Sequence, residues 1–104
     1  MTWNRRIRIF NKDSMDVGAH IIVRGMVQGV GFRYFIYRHA AQLGLNGFCR
    51  NLYNGNVEIK VEGDRSGVED LIQQVKVGPR FADVTDVKVA WEPCQHQFSG
   101  FKIR

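Results

Sequence analysis

The hydrophobic period of this chain changes once between residues 20 and 43, and it does so across three glycines. His20 to Val27 reads as a strand, with Ile21, Ile22 and Val23 apolar. Phe32, Phe35, Ile36, His39, Ala40 and Leu43 then recur at helical spacing, and Gly44 offers a stop. Between the two patterns lies Gly25-Met26-Val27-Gln28-Gly29-Val30-Gly31-Phe32-Arg33. A strand that turns into a helix within so few residues needs backbone conformations that glycine adopts freely. This junction therefore commits the chain to a strand–turn–helix unit.

The rest of the chain continues the alternation of strand and helix. Gly47 to Tyr53 reads as a second strand, and Asn54-Gly55 is a strong hairpin signal. Val57, Ile59 and Val61 alternate with Glu58, Lys60 and Glu62, which predicts a half-buried third strand with its acids facing outward. Val68, Leu71, Ile72 and Val75 mark a second amphipathic helix, ended by Gly78-Pro79. Val87, Val89 and Trp91 alternate in a fourth strand, and Phe101 and Ile103 in a short last one. Glu92 to Gly100 is polar and reads as a surface loop. The order β-α-β-β-α-β plus a short C-terminal strand predicts an α+β, ferredoxin-like split βαβ sandwich. Both helices should lie on one face of a mostly antiparallel sheet. The strand carrying the glycine turn is expected at the centre, with the next strand returning close by.

At 104 residues the chain supports one core. No apolar run approaches the roughly 20 residues of a membrane span, and no signal-peptide core stands near the N-terminus, so cytoplasmic residence and no membrane partner are expected. Net charge is +5. Arg5, Arg6, Arg8 and Lys12 crowd the start before any acid appears. Residues 1–18 read as a basic, flexible extension and 19–104 as the folded domain. A basic arm can bind anionic surfaces, but a solvated tail is the commoner outcome. Cys49 and Cys94 show no metal spacing; Cys49 falls in an apolar strand and reads as a buried free thiol.

Two readings fit the glycine junction. One is a tight connection with a solvated arginine. The other is an anion cradle, because a glycine turn running into a helix N-terminus aims main-chain N–H groups at one spot. Arg33 would add a planar fork of donors suited to phosphate oxygens. The loop donors would be Val27, Gln28, Gly29, Val30 and Gly31. The segment is neither a dinucleotide fingerprint, because Tyr34 stands where the third glycine is needed, nor a Walker loop, which needs Lys-Ser/Thr after the glycines. It holds no Cys, Ser, Thr, His or Asp as a covalent nucleophile. Asn51, at the end of the second strand, likewise has two readings: a turn residue satisfying nearby backbone, or a polar group of the site. His20, His39 and His96 share no ligand spacing, so no metal and no cofactor are expected. His39 reads as a core-edge residue, and Tyr34, Tyr37 and Arg38 as surface.

The run Gly25 to Arg33 resembles the signature of the acylphosphatase family. The block Gly47-Phe48-Cys49-Arg50-Asn51-Leu52-Tyr53-Asn54-Gly55-Asn56-Val57 is similar to that family's second motif. Glu62-Gly63, Gly78-Pro79 and the Phe101-Lys102-Ile103 ending fit as well, so the resemblance covers about residues 19–104. It implies metal-independent hydrolysis of acyl phosphates to a carboxylate and inorganic phosphate. It also implies catalytic roles for Arg33, which would bind the phosphoryl group with the loop N–H groups, and for Asn51, which would orient the attacking water. Met26 stands where relatives often have Arg and Leu52 where some have Thr; both departures bear on affinity or rate.

The chemistry suits a site without an acid pair. An acyl phosphate leaves as a carboxylate whose conjugate acid has a pKa of about 4, so no general acid is needed. The expected partners are a small acyl phosphate and inorganic phosphate, as product and competitive inhibitor, with the chain a monomer. Two other classes remain. One is a non-catalytic phosphate-binding or regulatory domain. The other is a single-stranded RNA binder of the same element order, which would stack bases on aromatic residues of the third strand. Val57 to Glu62 has no aromatics, so no nucleic acid is expected.

Overall fold

Strand β1 (Asp16–Met26) is the spine of the molecule, with hydrogen-bonded partners along both edges. The structure, a computed structural model, describes residues 16–104. The basic residues Arg5, Arg6, Arg8 and Lys12 lie outside the described residues, while residues 16–18 belong to β1 itself. Helix α1 (Phe32–Gln42), strands β2 (Asn46–Asn51) and β3 (Val57–Asp64), helix α2 (Arg65–Val77), and strands β4 (Asp83–Pro93) and β5 (Phe101–Ile103) follow. This is the α+β, ferredoxin-like arrangement that the periodicity predicts.

The sheet order is β4-β1-β3-β2-β5. β1 runs antiparallel to β3 and β4, β2 antiparallel to β3, and β5 parallel to β2. The return from α1 is thus not to a strand beside β1, because β3 lies between β1 and β2. Strand alternation puts Ala19, Ile21, Val23, Cys49, Val57, Ile59 and Val61 on one face. Phe32, Ile36 and Ala40 of α1 and Val68, Leu71, Ile72 and Val75 of α2 pack against that face. Burying one such large side chain contributes about 1.5–3 kcal/mol, and this stripe is what holds both helices to the sheet.

The helix ends follow from local chemistry. The Asp64 carboxylate accepts from the Ser66 N–H and caps α2. Gly78, at φ 75°, ends the helix in a conformation that favours glycine. Glu62 lies on the open face of the sheet, as expected, but is covered there. It is only 4% exposed, and its carboxylate accepts the N–H groups of Gln95 at 3.0 Å and Gln97 at 3.0 Å. The polar segment after β4 therefore wraps over the open face of the sheet and uses Glu62 as its anchor. On the same face Phe98 meets Phe48 edge-on, with centroids 5.8 Å apart, and Arg104 lies 3.9 Å over the Phe48 ring.

Candidate active site

The junction after β1 folds as two left-handed glycines leading into a helix. Gly29 and Gly31 sit at φ 75° and 76°, a region that side chains with a Cβ enter at a cost. Gly31 is the N-cap of α1, and among the described residues no side chain caps that end. The first helical bond runs from the Phe35 N–H to the Gly31 carbonyl. The N–H groups just before it have no partner within the helix, and the macrodipole places partial positive charge there. Gly25 has a different duty. A Cβ on it would stand 2.1 Å from the Asp83 carbonyl oxygen, so Gly25 lets β1 and β4 approach where the register shifts between Arg24 and Gly25.

The sheet register brings the second motif to the same end. Asn51 pairs with Val57, and Val57 pairs with Val23 on its other side. Asn51 therefore lies two strands across from Val23, roughly 10 Å away, on the face that carries α1. β1 and β2 run in the same direction, so both C-terminal ends open at one rim. A concavity of about 210 Å³ there is lined by Val27, Gly29, Gly31, Arg33 and Asn51, with Ile103 at its side. A larger open groove of about 660 Å³ adjoins it, bounded by Gln28, Arg50, Asn51, Leu52 and Tyr53.

Each loop residue has a distinct placement. Val27 is buried in the core and Val30 packs against it. The Gln28 amide donates to two carbonyls of the β2–β3 connection, Leu52 and Asn56, each at 2.8 Å. Arg33 is half-buried, and its Nη1 donates to the Arg104 backbone oxygen at 2.9 Å. Beneath it, Cys49 is a buried free thiol whose Sγ contacts the Arg33 carbonyl at 3.6 Å. Burial pushes that thiol up to about 12, against a smaller lowering by the Arg33 charge, so Cys49 is inert as a nucleophile.

Asn51 is exposed, and among the described residues its amide has no hydrogen-bond partner. The turn beside it is held by another residue. The Asn54 Oδ1 accepts from the Asn56 N–H at 3.1 Å, and the Gly55 N–H donates to the Leu52 carbonyl at 3.2 Å. The turn-supporting reading thus fits Asn54, and Asn51 is left facing the cradle. Leu52 is tied into the hairpin by its main chain, its N–H donating to the Asn56 carbonyl at 2.9 Å. Met26 is exposed at the end of β1.

Away from the cradle the fold gathers three residues that sequence spacing did not connect. Asp16, Cys94 and His96 have ligand-type atoms that all lie within 4.8 Å of one another. A Cys-x-His pair was legible in the sequence; its third member is 78 positions away and arrives only through β1–β4 pairing.

Comparison with known proteins agrees with this fold. The Acylphosphatase family model matches residues 19–103. A curated acylphosphatase of Moorella thermoacetica is 49% identical over 88 residues, covering 85% of this chain and 94% of that protein. The crystal structure of acylphosphatase from Bacillus subtilis superposes with a TM-score of 0.82 at 38% identity, covering 85% of this chain and 98% of the other. The structure of an acylphosphatase from Coxiella burnetii gives 0.84 at 32% identity, covering 89% and 97%.

Proposed function

The chain belongs to the acylphosphatase family of enzymes, and from that membership we propose that it hydrolyses small acyl phosphates by attack of an Asn51-oriented water on a phosphoryl group held by Arg33 and the loop after β1. The N–H groups around Val27 to Gly31 and the start of α1 hold the equatorial phosphoryl oxygens. Arg33 has five N–H donors; one is spent on Arg104, and others remain for the anion. The water attacks phosphorus in line with the departing acyl oxygen. The bond from phosphorus to that oxygen breaks, the carboxylate leaves unprotonated, and the water proton passes to the phosphate.

The observation that carries this reading is the unpartnered Asn51 amide at the rim of the cradle, with Asn54 doing the work of the turn. A non-catalytic phosphate binder would use the Asn51 amide as one more donor to the anion, so Asn51→Ala would then weaken phosphate binding. Stacking of RNA bases is disfavoured, because the open-face aromatic Phe48 is already covered by Phe98 and Arg104. Inorganic phosphate competes with substrate, and the chain acts as a monomer without metal at this site.

The test measures phosphate release from benzoyl phosphate, with a chelator present, alongside an aliphatic phosphate monoester. Wild type should turn over only the acyl phosphate. Asn51→Ala should lose kcat while phosphate inhibition and melting temperature stay close to wild type. Asn54→Ala should show the reverse, a lower melting temperature with kcat retained in the folded fraction. Near-normal kcat in a folded Asn51→Ala removes that residue from the mechanism; equal rates on the monoester remove the reaction class.

A further inference from the structure

The polar segment after β4 is built too firmly for a plain surface loop. Glu62, buried beneath it, accepts the N–H groups of both Gln95 and Gln97, so the backbone is pinned on each side of His96. His96 itself sits at φ 51°, the only non-glycine with positive φ among the described residues. That conformation is uncommon for a residue with a Cβ and costs energy. It also places the His96 Nδ1 3.7 Å from the Cys94 Sγ.

That separation has a chemical meaning. With zinc–sulfur at about 2.3 Å and zinc–nitrogen at about 2.0–2.1 Å in tetrahedral geometry, two such ligands stand about 3.6 Å apart. The third donor is supplied by strand register. Val17 pairs with Pro93 as the last pair of the β1–β4 ladder. One further step sets Asp16 opposite Cys94, both on the open face that the loop covers. We propose that Asp16, Cys94 and His96 form a second site, which binds a divalent ion of the zinc class through a carboxylate, a thiolate and an imidazole, with a fourth position open to water. Cys94 loses its proton to solvent as the ion binds. β1 runs from this site to the cradle, roughly 30 Å at about 3.3 Å per residue, so the ion takes no part in phosphoryl transfer. It fastens the start of β1 to the loop after β4.

Cobalt titration of the reduced protein reads the site directly, because a thiolate–cobalt bond gives its own near-ultraviolet band. Cys49 cannot supply it, being buried and held protonated. The band should saturate at one equivalent and be displaced by zinc. Zinc should raise the melting temperature of wild type and not of Cys94→Ser. Cys94→Ser should lose the band. His96→Ala and Asp16→Asn should each weaken binding about tenfold or more, since losing even a residue that only orients a metal ligand costs that much. His96→Gly separates ligand from loop shape: it suits the positive φ, so the metal-free protein should melt no lower than wild type while cobalt binding is lost. No band at one equivalent overturns the proposal. So does a band that His96→Ala and Asp16→Asn leave unchanged, which would be a lone thiolate, and so does undiminished cobalt binding in His96→Gly.

Discussion

Replacing Gln28 with alanine should loosen the site without touching the anion. Its amide is the tie between the cradle loop and the hairpin that carries Asn51, through two bonds of 2.8 Å. At about 0.5–1.5 kcal/mol each, the pair accounts for roughly 1–3 kcal/mol. Neither carbonyl is orphaned by the change, because Leu52 still accepts from Gly55 and Asn56 still accepts from Leu52. The cost should therefore fall in the lower part of that range, about 1–2 kcal/mol, since no desolvation penalty is added. For a domain of this size that lowers the melting temperature by about 4–16 °C. Gln28→Glu should be worse than alanine although it is isosteric, because an ionised carboxylate would face two carbonyl oxygens with no proton to offer. With the hairpin free to drift, kcat on benzoyl phosphate should drop by on the order of 10–10², while phosphate inhibition, which the proposed mechanism assigns to Arg33 and the loop, should change little. Thermal melts and steady-state kinetics on the three proteins suffice. If Gln28→Glu melts with wild type, or Gln28→Ala keeps both kcat and melting temperature, the tie is not what positions Asn51.

Arg33→Ala should cost on the order of 10²–10³ in rate and raise the phosphate inhibition constant; Arg33→Lys should recover little, because a point charge lacks the two-pronged contact. An unchanged inhibition constant in Arg33→Ala would misplace the cradle. Gly25→Ala should express poorly or melt far below wild type, since its Cβ would meet the Asp83 carbonyl at 2.1 Å; a normal melting temperature would show that β1 and β4 can separate there freely. Burial tends to raise Glu58, but bonds from His20 at 2.6 Å and Arg50 at 2.5 Å outweigh it and hold the carboxyl below its ordinary range. A depressed folded-state pKa stabilises the protein above the unfolded carboxylate pKa, and that stability is lost as pH falls through the folded value. Glu58→Gln should thus flatten the acid limb of melting temperature against pH, and an unaltered acid limb would count against the pairing.

Much of the architecture was legible because each buried stripe announces its own period. Phe32, Ile36 and Ala40 at helical spacing, and Val57, Ile59 and Val61 at alternation, are all core residues in the fold. The full length of β4 was less visible. Its first residues are the polar Asp83, Thr85 and Asp86 on an edge strand, and the shift at Arg24/Gly25 breaks the pairing there. Periodicity also could not reveal that β3 inserts between β1 and β2, because alternation says which face a residue takes and not which strand lies beside it. The two-motif resemblance pointed to Arg33 and Asn51, whereas the Gln28 tie, the burial of Glu62 and the joining of Asp16 to Cys94 and His96 depend on contacts between residues 24 to 80 positions apart. Nothing local marks such contacts. For Glu62, alternation gave the right face, the one away from the helices, but could not show that the polar segment after β4 covers it there.

On the proposed reading the loop after β1 would meet the anion with its main chain, because its side chains are employed elsewhere: Val27 in the core, Val30 against it, Gln28 across to the hairpin. Ligand contact and structural support are thereby superimposed on one short stretch of polypeptide. Drift in this stretch is consequently policed by folding before it is policed by chemistry. A change at Val27 or Gln28 that disturbed the loop would therefore also weaken the fold. Apart from Arg33, the proposed donors are main-chain N–H groups with no side chain for mutation to exchange, so their arrangement would persist for as long as the backbone path around Gly29 and Gly31 does.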